Sequence, residues 1–162
     1  MRRSLLALAL ALAASPALAQ TACNGSNVGL AFGPYDVTSP TSFDTQTAMT
    51  VTCTRSNVPG GPQDPRVTIT VGVGASQTSG SIQNRQLGRA GGGAVLNYNV
   101  YLDSGRLSVW GNSPGIDTVS QTLNIPNKAT RTAIFTFYGR VFARQDVTPG
   151  FYNDSLLVTV NY

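Results

Sequence analysis

A chain of 162 residues with 41% hydrophobic side chains has room for one domain with a real core and hardly for two. Its formal charge of +4 includes Arg2 and Arg3; without them nine scattered basic residues face seven aspartates, with no basic run to suggest nucleic acid. The chain has no histidine and no glutamate, which removes the usual base of nucleophilic catalysis and the usual companions of a metal-binding cysteine pair.

Arg2 and Arg3, the apolar run Leu5 to Ala14 and the small residues Ala17-Leu18-Ala19 predict a secretory signal over residues 1–19, cut before Gln20. That run is too short to span a bilayer and no later segment approaches the necessary length, so a soluble, exported domain over residues 20–162 is expected. In an oxidising compartment, two cysteines without metal-ligand companions predict one bridge, Cys23–Cys53. Val28 to Phe32 reads as a first strand stopped by Gly33-Pro34, and the polar Tyr35 to Gln46 as loop. Met49, Val51 and Cys53 alternate with threonines as a second strand, which the bridge would pin beside the entrance of the first.

Pro59 to Pro65 can hold neither helix nor ladder. Val67, Ile69, Val71 and Val73 give the cleanest period-two strand, and the Ser/Gly/Gln-rich stretch Ala75 to Gly93 reads as a mobile connection containing Arg85 and Arg89. Leu96 to Leu102 is a strand, Asp103-Ser-Gly105 a turn, and Leu107 to Trp110 its short hairpin partner. Leu123 and Ile125 make a short strand ended by Pro126. Thr132 to Ala143 is a long apolar strand, with Gly139 a bulge or close-approach point. Asp146 to Gly150 turns the chain into a closing strand, where Leu156, Val158, Val160 and Tyr162 form an apolar face opposite Leu157, Thr159 and Asn161. No segment keeps a helical period. Seven or eight short strands between Gly/Pro/Asn loops predict an all-β, antiparallel, immunoglobulin-like sandwich. A closing strand this apolar needs a partner on both sides or leaves a sticky edge.

The ordered set Phe32-Gly-Pro-Tyr35, Val51-Thr-Cys53, Tyr98-Asn-Val-Tyr101, Trp110-Gly111, Tyr138-Gly-Arg140, Gly150-Phe-Tyr-Asn-Asp154 and Val158-Thr-Val-Asn-Tyr162 resembles the spore coat protein U domain family across essentially the whole mature chain. That resemblance implies a secreted pilus or coat subunit of the archaic chaperone–usher type, whose sandwich lacks its final strand. The gap is filled first by a periplasmic chaperone and then by another subunit after passage through an outer-membrane usher, one of the forms of β-strand addition. It also implies that Leu156, Val158, Val160 and Tyr162 line one side of the chaperone and donor-strand groove. Only three residues precede Cys23 after the expected cut, too few for a donor strand, so a minor or terminal subunit in adhesion or biofilm formation is expected.

Other chemistries fare worse. Asp103 and Asp154 are the pair to test as glycosidase carboxylates, but both sit in turns where Asp bonds its own backbone. Tyr35, Tyr101 and Trp110 are the candidates for a sugar-binding platform, the basis of an alternative self-complete sandwich that binds carbohydrate or coats a surface unaided; core or rim packing is the first expectation for them. No enzyme and no cofactor is expected. Arg140 and Asp154 have no role derivable from the residues alone.

Overall fold

The computed structural model describes residues 21–56 and 64–162; the signal predicted over 1–19 and most of the Pro59–Pro65 loop lie outside the described residues. Ten strands occur among the described residues: β1 (Thr21–Gly25), β2 (Phe43–Arg55), β3 (Arg66–Ser76), β4 (Ser79–Gly80), β5 (Arg85–Arg89), β6 (Val95–Tyr101), β7 (Val119–Asn124), β8 (Thr130–Val141), β9 (Tyr152–Asn153) and β10 (Leu156–Asn161). Every ladder is antiparallel. One sheet runs β1-β2-β8-β6-β5-β4, with β9 also on β5, and the other runs β10-β3-β7.

The two sheets face each other because their strands alternate. In β2, Met49, Val51 and Cys53 are buried while Thr50 and Thr54 are exposed; in β8, Ala133, Phe135, Phe137 and Val141 are buried. These strands pair continuously from Phe43 opposite Val141 to Thr54 opposite Thr130, so one register aligns both apolar sets on the same face. Ile69, Val71 and Val73 of β3 meet them from the other sheet with no exposed surface. Trp110 closes the core: its ring stacks on Phe137 at 4.4 Å between centroids, and its Nε1 donates to the Val71 carbonyl at 3.0 Å. Each such side chain contributes about 1.5–3 kcal/mol on burial.

Several sequence expectations are corrected. Val28 to Phe32 is not a ladder strand; the first strand is β1, which carries Cys23 directly opposite Cys53, and the predicted disulfide joins them. β2 begins at Phe43, inside the stretch read as loop. Leu107 to Trp110 makes only one bridge, Val109 to Tyr101. The short strand is Val119–Asn124, with buried Ile125 just beyond it donating its N–H to the Pro65 carbonyl at 2.7 Å.

The largest correction is Ala75 to Gly93, which is no mobile connection. It contains the end of β3, all of β4 and β5, and two buried residues, Arg85 and Leu87. Arg85 has no exposed surface, and burial lowers its pKa from the ordinary value. Its guanidinium donates to the carbonyls of Val73 (2.9 Å), Gly74 (2.7 and 2.9 Å) and Trp110 (2.7 Å), and to Asn99 Oδ1 (2.6 Å). Asn99 is itself held by Nδ2 donating to Ile82 and Gln83 carbonyls. A polar side chain thus ties one sheet to the other in the middle of the sandwich, with all three guanidinium nitrogens bonded to four converging acceptors.

Candidate functional site

β10 is the edge of its sheet. One side pairs with β3, Val158 opposite Val73 and Val160 opposite Val71; among the described residues no strand pairs with its other side. Leu156, Val158 and Val160 face inward and are only half-buried, while Leu157, Thr159 and Asn161 are exposed. Beside them opens a cleft of about 660 Å³ whose floor includes Met49, Val73, Tyr98, Val100 and Phe137. Tyr162 lies one residue past the strand, is 57% exposed, and is not among the residues lining the cleft.

The far wall is the segment predicted as the first strand. Val28, Leu30 and Phe32 are half-buried, Gly29 and Ala31 exposed, so the alternation is real. Yet between Ser26, whose N–H reaches the Thr50 carbonyl, and Asp36, residues 27–35 make no backbone–backbone hydrogen bond among the described residues. Side chains hold this stretch instead. Phe32 meets Tyr98 edge-on at 5.7 Å, and the Tyr35 hydroxyl donates to the Phe142 carbonyl and accepts from the Gln145 N–H, both at 2.9 Å.

Gly139 permits this wall. A Cβ there would stand 2.5 Å from Leu30 Cδ2 and 2.9 Å from the Phe32 ring, so the close approach expected at Gly139 is what seats both side chains. Gly139→Val is expected to evict Leu30 and Phe32 from the floor and cost about 1–3 kcal/mol, read as a lower guanidinium midpoint and new protease cutting within residues 27–34. An unchanged midpoint and digest would show that the segment is not seated through Gly139.

Asp154 stands at the end of the cleft. It accepts from the Tyr98 hydroxyl at 2.8 Å and from the Thr78 N–H at 3.1 Å; burial and this bond push the Tyr98 phenol up. Arg140 is on the outer face of the other sheet, directly opposite Asp44, and clasps it with two hydrogen bonds of 2.7 and 2.9 Å. That clasp holds the Asp44 carboxyl below its usual range and raises Arg140; Arg106 adds a contact at 3.2 Å. Arg140 is therefore a cross-strand fastener, remote from the cleft floor. Asp103 accepts N–H bonds from Leu107 and Ser108, the latter chiefly holding its carboxyl below the ordinary value, as expected of a turn residue. Tyr101 and Trp110 are buried, and Tyr35 serves as an anchor, so the three aromatics form no shared platform. The wall at 27–33, Gly139 and the floor residues Tyr98, Val100 and Phe137 were missed as site residues; the signal for them was alternation at Val28, Leu30 and Phe32 followed by Gly-Pro.

The spore coat protein U domain model matches residues 8–159. The chain belongs to the spore coat protein U domain family. Within this domain Trp110-Gly111 has a clear local reason: a Cβ at Gly111 would collide with the Asp117 carboxylate, which caps the Ser113 N–H at 2.6 Å, while the Gly111 carbonyl receives the Val73 N–H at 2.7 Å. Protein U of Myxococcus xanthus is similar, at 31% identity over 97 residues, 58% of this chain and 51% of that protein. The chain thus spans about half the length of this curated relative. In structure the spore coat protein U domain is similar to a chain of the CsuC–CsuE chaperone–tip adhesion subunit pre-assembly complex from archaic chaperone–usher Csu pili of Acinetobacter baumannii. The TM-score is 0.55 at 18% identity, over 88% of this chain and 40% of that one. The shared architecture is the antiparallel, immunoglobulin-like all-β sandwich.

Proposed function

We propose that this spore coat protein U domain is a structural, non-catalytic subunit of a secreted surface fibre or coat of the chaperone–usher type, assembled by accepting a partner's β-strand beside β10. The supporting observation is the unpaired edge of β10 facing an apolar cleft of about 660 Å³. On this reading the sandwich lacks one strand, and Leu156, Val158 and Val160 form one wall of the gap. The 27–33 segment is the other wall, and its backbone, which bonds no other backbone among the described residues, gives the incoming strand a second line of partners. Four or five aliphatic side chains buried at about 1.5–3 kcal/mol each make filling the gap worth on the order of 10 kcal/mol, comparable with a whole domain's stability. A chain left unfilled is marginal and prone to edge-to-edge aggregation.

The order of events follows from that energy. The leader is cut, Cys23 and Cys53 are oxidised, a periplasmic chaperone lends a strand, and exchange through an outer-membrane usher substitutes the strand of a neighbouring subunit. A minor or terminal place with an adhesive task is the finer part of this proposal.

Val158→Asp tests the site. Val158 is half-buried on the cleft wall, and a carboxylate there is tolerable in an open cleft but is stranded once a strand covers it. Co-purification with co-expressed candidate chaperones is expected to fall at least about 100-fold, while Thr159→Asp on the exposed face leaves it unchanged. Equal recovery of parent and Val158→Asp complexes would contradict the proposal.

A further inference from the structure

Beyond the end of β10 a second cleft of about 880 Å³ opens between residues 30–37 and the loop 147–154. It shares Leu30, Phe32, Leu87 and Asp154 with the first, so the two clefts adjoin at these residues. Its own lining includes the apolar Leu96, Val141, Val147 and Phe151, and Phe151 is 88% exposed. We infer that the partner strand is longer than β10. Past the part that faces β10 it carries an aromatic or aliphatic residue for this second cleft, next to a Lys or Arg. This rests on the strand-accepting role of the first cleft.

Charge selects the basic residue. Among the described residues neither cleft is lined by a Lys or Arg, whereas Asp154 is common to both and Asp36 lines the second. Asp36 is exposed and held ionised by Thr38, whose hydroxyl and N–H donate to Oδ1 at 2.7 and 2.8 Å. Arg85 attracts Asp154 from its place among the core carbonyls but makes no hydrogen bond to it, and Arg89 donates to the Pro149 carbonyl at 3.1 Å. A cationic occupant is therefore attracted and an acidic one repelled. The six residues of β10 match about 20 Å of extended chain, and the second cleft lies past them.

Fluorescein-labelled peptides provide the test, added while the mature chain refolds from guanidinium, with affinity read by anisotropy. One is Thr-Val-Thr-Val-Thr-Val; two others add Lys-Phe-Thr-Phe at its N- or C-terminal end. One extended peptide is expected to bind at least about tenfold tighter than the short one. Phe151→Asp should abolish that gain without weakening the short peptide, and Asp36→Asn should reduce it at low salt. Equal binding of all three peptides overturns the extended groove and leaves the first cleft's role standing. No binding by any of them overturns both.

Discussion

Arg85→Met is expected to destabilise the domain by about 3–5 kcal/mol. Methionine fills most of the same volume, so the loss is not a cavity effect. Removing the guanidinium takes its hydrogen bonds from the buried carbonyls of Val73 and Trp110 and the part-buried carbonyl of Gly74, and leaves Asn99 Oδ1 with the Val100 N–H alone. Each buried acceptor left unmade costs about 1–3 kcal/mol, partly offset by no longer desolvating a cation. Arg85→Lys should rescue little, because one ammonium cannot fork to acceptors on different strands. The check is the guanidinium midpoint of each variant; a Met variant within about 1 kcal/mol of the parent would show that the network is dispensable.

Reducing the Cys23–Cys53 bridge, or replacing both cysteines by serine, is expected to cost about 3.5 kcal/mol through the unfolded chain, since the bridge spans 30 residues. The native state also loses a fastening, because the two cysteines are directly opposite in the β1–β2 ladder and Cys53 has no exposed surface. β1 ends at Gly25, where an added Cβ would lie 3.6 Å from Val160 Cγ2, so loosening β1 also opens one end of the strand cleft. Melts with and without dithiothreitol test this. Coincident curves, with free thiols confirmed, would contradict it.

What could be read ahead of the structure was the set of faces. Met49, Val51 and Cys53, the valines of β3 and the aromatics of β8 alternate strongly enough to fix both inner surfaces, and Leu156, Val158 and Val160 face inward as their spacing required. Partners were harder. Alternation reports which way side chains point and says nothing about where N–H and C=O groups go, so Val28 to Phe32 read as a ladder strand although its backbone bonds no other backbone among the described residues. The true first strand, Thr-Ala-Cys-Asn-Gly, has little apolar pattern of its own and is held by the bridge and by β2. Arg85 sits in a polar, glycine-rich stretch, and only contacts with residues 11 to 25 positions away make it a core residue. Asp154 likewise becomes a groove residue only through Tyr98 and Thr78, distant in the chain.

The most direct test of the missing strand is a guanidinium melt of the mature chain alone, beside the same chain carrying an alternating Val/Thr strand on a flexible linker after Tyr162. The lone chain is expected to aggregate or to melt at low denaturant, and the fused strand to raise the midpoint by an amount equivalent to several kcal/mol. A lone chain that is a soluble monomer, melts cooperatively at high denaturant and gains nothing from the added strand would mean that the sandwich is already complete.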